Sequence, residues 1–166
     1  RGRQAGFDHE FLKLARQINN SMPAYTVDLL EQGLQALGLA LPDIETALLG
    51  LAYKKDIADL RESPALTIRS LLEERKARLR VFDPFVPEES TVASLAEALT
   101  GAQVLMLATN HTAFITALTP QKIKEAGVRI VIDGKNALDG DGIAALGIPY
   151  YGIGRKRVPV GLTHRS

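Results

Sequence analysis

The sequence has no cysteine among its 166 residues, which excludes disulfides, thiolate metal sites and cysteine nucleophiles from this chain. It carries no surplus of either charge, since 20 basic residues stand against 19 acidic ones and leave a net charge of +1. No sustained basic block or interleaving of basic and aromatic residues recommends a nucleic-acid partner. No apolar run approaches the roughly 20 residues that span a bilayer, and no signal-peptide pattern opens the chain. A membrane partner is therefore not expected, and a cytoplasmic location is. His9 and His164 have no neighbours at metal-ligand spacing, so no metal site is expected. The chain opens on Arg1 rather than Met, which reads as processing or excision from something longer. The ending Thr163-His164-Arg165-Ser166 carries no readable pattern.

What is present is the composition of a globular protein, 46% hydrophobic and 23% charged. Length favours one domain with an appendage. Phe7, Phe11, Leu14, Ile18 and Met22 recur at steps of three and four, the apolar face of an amphipathic helix. Pro23 interrupts this pattern, which resumes at Val27, Leu30, Leu34 and Leu37. The expectation is one long kinked helix or two nearly continuous ones. Such a helix packs on its own domain or pairs with a second copy in a symmetric dimer. Gly38 to Asp43 reads as a boundary, dividing the chain into a helical region, 1–42, and an α/β region, 43–166.

From there strands and helices alternate. Strands are expected at Ala47–Ala52, Leu79–Phe82, Val104–Ala108, Val128–Ile132 and Pro149–Tyr151. Helices are expected from Ser63-Pro64, over Glu88–Leu99 with Val92, Leu95, Ala96 and Leu99 inward, at Ala113–Leu118, from Thr119-Pro120 to Gly127, and near Gly142–Leu146. This order implies an α/β fold, a doubly wound parallel sheet with helices on both faces, preceded by a long helical arm. Ligands of such sheets gather at the carboxyl ends of the strands. The polar clusters fall at that edge: Tyr53 to Arg61, Asp83, Asn110-His111 and Asp133 to Asn136.

The first strand exit carries Gly50 alone, without the Gly-x-Gly-x-x-Gly turn of a dinucleotide site. The fold is thus Rossmann-like without the phosphate-cradling turn. Between Gly50 and Pro64 lie Lys54, Lys55, Asp56, Asp59, Arg61 and Glu62, on a connection longer than the usual two to six residues. These residues form either a solvated loop of local ion pairs or a set of cationic donors for phosphate or carboxylate. Histidine titrates near neutral pH, which opens an acid/base role for His111; the plainer role is to fix a loop by hydrogen bonding. Asp83 stands where a ribose-binding acid would, yet Asp83-Pro84 also reads as a simple turn.

Gly50-Leu51-Ala52-Tyr53-Lys54-Lys55-Asp56, followed by Asp59-Leu60-Arg61-Glu62-Ser63-Pro64-Ala65, resembles the signature of the carboxyl-terminal domain of UDP-glucose/GDP-mannose dehydrogenases. The stretch from Leu14 to Pro23 resembles the family's central helix. Val81-Phe82-Asp83-Pro84, Ala108 to His111 with Phe114, and Ile132 to Asn136 match later landmarks in the expected order. The resemblance implies a homodimer built through the central helix and, in the complete enzyme, oxidation of a UDP-sugar C6 hydroxyl to a carboxylate. Two NAD+ are reduced and a cysteine carries the intermediates. Since this chain lacks that cysteine and the glycine turn, the resemblance implies a carboxyl-terminal part without turnover of its own and without catalytic residues. Carried over by position, Tyr53, Lys54 and Lys135 are implied to meet the UDP-sugar, and Arg61 the cofactor. Lys135 stands where the family usually has Arg, which keeps the charge and loses the bidentate fork. Tyr53 leans the resemblance toward the UDP-N-acetylhexosamine 6-dehydrogenase branch. The competing expectation is a free-standing α/β interaction or regulatory module that binds no such ligand.

Overall fold

Each apolar run expected to be a strand contains one and all the pairings are parallel, although the first stops at Leu49, short of the expected Ala52, because the Leu51 and Ala52 N–H groups bond the Asp83 carboxylate instead. The computed structural model describes residues 2–155; Arg1, the side chain of Phe7 and the segment with His164 lie outside the described residues. The elements are α1 (Gly2–Ala36), β1 (Glu45–Leu49), α2 (Pro64–Glu74), β2 (Arg78–Phe82), α3 (Leu95–Leu99), β3 (Ala102–Leu107), α4 (Thr112–Ala117), α5 (Pro120–Glu125), β4 (Ile130–Asp133), α6 (Gly140–Ala145) and β5 (Tyr150–Gly152). The five strands lie in the order β2-β1-β3-β4-β5. Strand order reverses between β1 and β3, so the crevice of this doubly wound sheet opens at their carboxyl ends.

The central strands are largely apolar because both faces are covered. Leu48, Val104, Met106, Ile130 and Ile132 point into one core with Val27, Leu30 and Leu34 of α1 and Ala65, Ile68 and Leu72 of α2. Their neighbours Ala47, Leu49, Leu105, Leu107 and Val131 point into a second core with Ala98, Phe114, Ile123 and Ile143 from α3 to α6. The period of two along each strand thus assigns every side chain to a layer.

Helix α1 runs unbroken through Pro23. The Ser21 hydroxyl donates to the Ile18 carbonyl (2.7 Å) and the Thr26 hydroxyl to the Met22 carbonyl (2.8 Å), so side chains bond carbonyls in the turns around the missing N–H. The two packing alternatives divide along its length. The carboxyl-terminal half is core, and Gly33 lets it lie close to the sheet: a Cβ there would stand 2.4 Å from Ile130 Cδ1. The amino-terminal half exposes Phe11, Leu14 and Ile18, each more than half accessible. The helix ends as Gly38 takes a left-handed φ of +70°, with Leu39 N–H bonding Leu34 O and Gly38 N–H bonding Gln35 O.

One expected helix is mostly absent. Within Glu88–Leu99 only Leu95–Leu99 is α-helical, preceded by a short 3-10 turn at Pro87–Glu89. Ser90 and Thr91 are instead spent on β2: the Asp83 N–H donates to Ser90 Oγ (2.9 Å) and the Val81 N–H to Thr91 Oγ1 (2.8 Å). Thr91 N–H returns a bond to Val81 O. Ser94 then starts α3, accepting from the Glu97 N–H, while Glu97 accepts from the Ala93 N–H. Ala98 faces inward in α3 and Ala96 is exposed.

Candidate functional site

Strand β1 ends at Leu49, and the chain turns at Gly50 with φ +87°. The backbone of Thr109 fills the space beside Gly50, and a Cβ there would lie 2.7 Å from Thr109 N. Gly50 therefore does not open a cradle for a pyrophosphate. The loop that follows reaches Ser63, which caps α2 by accepting from Ala65 N–H and ties back by donating to Leu51 O (2.5 Å).

Two further strand exits hold this loop. Asp83, at the end of β2, is fully buried. Its Oδ2 accepts from Leu51 N–H (2.6 Å), Ala52 N–H (2.9 Å) and His111 Nε2 (2.9 Å), and its Oδ1 accepts from Phe85 N–H (2.8 Å). With these bonds filled, Asp83 is a loop anchor rather than a ribose ligand. After β3, the Thr109 hydroxyl donates to Ala52 O (2.6 Å). His111, also fully buried, accepts the Asp56 N–H on Nδ1 (2.8 Å). Its proton therefore sits on Nε2, facing Asp83. Asp56 adopts φ +58° and its carboxylate accepts from the Thr112 N–H (2.8 Å) and hydroxyl (2.6 Å) at the start of α4. His111 fixes the loop and has no free ring nitrogen for acid/base work.

Burial alone would raise the Asp83 pKa. The bonds from His111, Leu51, Ala52 and Phe85 outweigh it and hold the carboxyl down at about 2. Because the folded value lies below the unfolded value of about 3.9, Asp83 contributes stability in full above that pH. The contribution, about 2 to 3 kcal/mol, is lost as pH falls from about 4 to 2. Acid unfolding of Asp83→Asn is expected to show a shallower loss of stability over that window than the parent. An identical slope would show that Asp83 is not the group being protonated.

The residues singled out from sequence all lie at this edge. Tyr53 is 44% exposed, and Lys54 Nζ lies 5.8 Å from its ring centroid, a cation–π distance. Arg61 is exposed and makes a bidentate pair with Asp59, at 3.0 and 2.9 Å, the local pairing expected of a solvated loop. The Arg61 bonds draw Asp59 down to about 2. Lys135 is exposed in the turn after β4. That turn hangs on buried Asp133, which accepts from the N–H groups of Lys135, Ala137 and Leu138 and from Tyr150 OH (2.7 Å). Burial and then the Asp133 bond push the Tyr150 hydroxyl pKa upward. The loops after β1 and β4 emerge on either side of β3. Neither Lys54 nor Lys135 pairs with a carboxylate among the described residues. The edge thus presents exposed ammonium groups, with Lys54 beside an accessible aromatic ring and acting on the nearby Asp59 carboxylate, suited to an anionic ligand with a planar base.

Residues 47–140 match the UDP binding domain of the UDP-glucose/GDP-mannose dehydrogenase family. The chain belongs to that family. Across 89% of its length it is 32% identical to UDP-N-acetyl-D-mannosamine dehydrogenase of Pyrococcus horikoshii, covering 34% of that protein. It is 30% identical over 91% of its length to UDP-glucose 6-dehydrogenase YwqF of Bacillus subtilis, covering 36%. The crystal structure of NDP-N-acetyl-D-galactosaminuronic acid dehydrogenase from Methanosarcina mazei superposes with a TM-score of 0.79 at 31% identity, over 86% of this chain and 31% of that one. The chain spans about a third of the length of these relatives. The matched UDP binding domain contains the whole buttressed loop, from Gly50 to Ser63, and the anchors Asp83, His111 and Asp133.

Sequence reasoning offered His111 as a residue that fixes a loop by hydrogen bonding, as it does, and missed its partners. The bonds Asp83–His111 and Asp56–Thr112 join residues 28 and 56 positions apart. The available signal was positional: β2 and β3 flank β1, so their exits border the loop.

Proposed function

We propose that the chain is the carboxyl-terminal part of a nucleotide-sugar 6-dehydrogenase, and that it supplies one wall of a UDP-sugar site. The observation that carries this reading is the pair of exposed cations, Lys54 and Lys135, on the loops that flank the exit of β3 in a domain that matches a UDP binding family. In this reading Tyr53 and Lys54 contact the UDP-sugar from the loop after β1, and Lys135 contacts it from the turn after β4. Arg61, itself exposed, reaches toward the cofactor, exchanging its half-buried partner Asp59 for an anionic group. NAD+, the hydride acceptor of such enzymes, does not fit the crevice of this unit in the usual way, because Thr109 fills the space beside Gly50 and Asp83 is saturated. The names of the relatives favour a UDP-N-acetylhexosamine as the sugar class.

In the complete enzyme the C6 alcohol would be oxidised to a carboxylate through a cysteine that this chain lacks. The part played here is binding and orientation. Residues 1–42 form the dimerising helical region and 43–166 the UDP-sugar-binding domain. The exposed Phe11, Leu14 and Ile18 face of α1 meets a second copy, as steps of three and four on an unpartnered helix favour.

The chain incubated with UDP-N-acetylmannosamine or UDP-glucose and NAD+ is expected to form no NADH; measurable turnover would overturn the reading. Sedimentation equilibrium is expected to show self-association that Leu14→Glu abolishes. A wild-type chain that stays monomeric at high concentration would rule out the helix as a dimer interface.

A further inference from the structure

The Asp83–His111 pair has more to do than stabilise a core. His111 is fully buried, with its ring between Phe85 (centroids 4.7 Å apart) and Phe114 (5.5 Å). Its two nitrogens are spent in opposite senses: Nε2 donates to Asp83 Oδ2, and Nδ1 accepts the N–H of Asp56. Asp56 lies only two residues after Lys54, and it has the left-handed φ of +58° that turns its N–H inward. The other side of Asp56 is held by Thr112. The residue that aims Lys54 is thus gripped from α4 and from a buried imidazole. Tyr53 N–H donates to Asp59 O (2.7 Å) and closes the same loop on itself.

We propose that His111, oriented by Asp83, is a positioning residue for the UDP-sugar site, acting through the Asp56 N–H to set the backbone that presents Tyr53 and Lys54. It touches no ligand. This inference rests on the UDP-binding reading above for its effect on affinity, but the hold on the loop can be read without any ligand. The neutral, Nε2-protonated form is essential, because a proton on Nδ1 would oppose the Asp56 N–H with a second donor.

Two amide variants separate the halves of the ring. An Asn side chain overlays the Cγ–Nδ1 half and keeps an acceptor for Asp56. A Gln side chain reaches the Nε2 position and keeps a donor for Asp83, leaving the Asp56 N–H without its partner. Calorimetry with UDP on the 166-residue chain is expected to show affinity weakened about tenfold or more by His111→Gln and less than about threefold by His111→Asn. Amide hydrogen exchange is expected to speed up about tenfold at Asp56 in His111→Gln alone. A purely structural histidine predicts that the two variants track their melting temperatures, with affinity and exchange changed alike, and that result would overturn the proposal.

Wild-type chain provides a test that does not depend on the variants folding. Imidazole nitrogen shifts should report Nδ1 unprotonated and Nε2 protonated, with the Asp56 amide protected although its side chain is exposed. The opposite tautomer or a freely exchanging Asp56 amide would overturn the proposal. Failure of wild-type chain to bind UDP would instead overturn the UDP-binding reading, while tautomer and exchange still decide whether His111 holds the loop.

Discussion

Gly50→Ala is expected to destabilise the chain by about 3 kcal/mol or more, lowering the melting temperature by roughly 10 °C. Two independent terms add. The backbone at Gly50 has φ +87°, a conformation that costs an L-residue about 1 to 2 kcal/mol. The new methyl would also stand 2.5 Å from Thr109 Cβ, 2.7 Å from its N and 2.8 Å from its O. Two of those atoms are backbone, so no rotamer change relieves the overlap. Thr109 cannot withdraw cheaply, because Ala108 N–H bonds Leu49 O (2.9 Å) and its own hydroxyl holds Ala52 O. The strain falls at the root of the loop that carries Tyr53 and Lys54, so UDP affinity should fall with stability. Gly38→Ala provides the control. It has a similar φ of +70° but nothing within 4 Å of the added Cβ, so it should pay only the conformational term, about 1 kcal/mol. Equal losses at the two sites would show that the approach of Thr109 to Gly50 is not limiting.

The sheet was legible because its strands are largely apolar runs separated by turn residues, and their parallel pairing follows from alternation with helices. Ser63-Pro64 marked the start of α2 for a local reason, a side-chain acceptor followed by a residue without an N–H. Glu88–Leu99 misled because helical spacing of Val92, Leu95 and Leu99 says nothing about Ser90 and Thr91, whose hydroxyls are drawn to the backbone of β2. That competition is non-local and leaves no mark on periodicity. The long helix was read correctly as an apolar face, but its division into a packed half and an exposed half depends on where the sheet ends.

The site divides in the same way. Tyr53, Lys54, Arg61 and Lys135 were legible as polar residues at strand exits, and the family resemblance assigned them roles. Their support was legible only in part, since His111 read as a loop-fixing hydrogen bonder but without its partners. Asp83 looked like a ribose ligand or a turn residue and is an anchor bonded by three backbone N–H groups and an imidazole. Asp133 repeats the device after β4, with three backbone N–H groups and Tyr150 OH. Each buried carboxylate satisfies N–H groups that a turning chain would otherwise leave unpaired. In each case the anchored turn lifts an ammonium group, Lys54 or Lys135, to the surface. Rigid anchoring of a loop that ends in flexible, exposed side chains is what a binding wall requires: the backbone is positioned before the ligand arrives.

Titration of UDP into the chain and into Lys54→Ala by calorimetry decides whether this chain carries half of a nucleotide-sugar site, enough to bind and too little to react. A charge-assisted contact to a phosphate contributes about 1.5 to 3 kcal/mol, which corresponds to a loss of about ten- to a hundredfold in affinity on removing the ammonium group. Measurable binding by the parent is expected, with a loss of that size in the variant and the melting temperatures matched. Binding of equal strength by the two, or no binding by either, would contradict it.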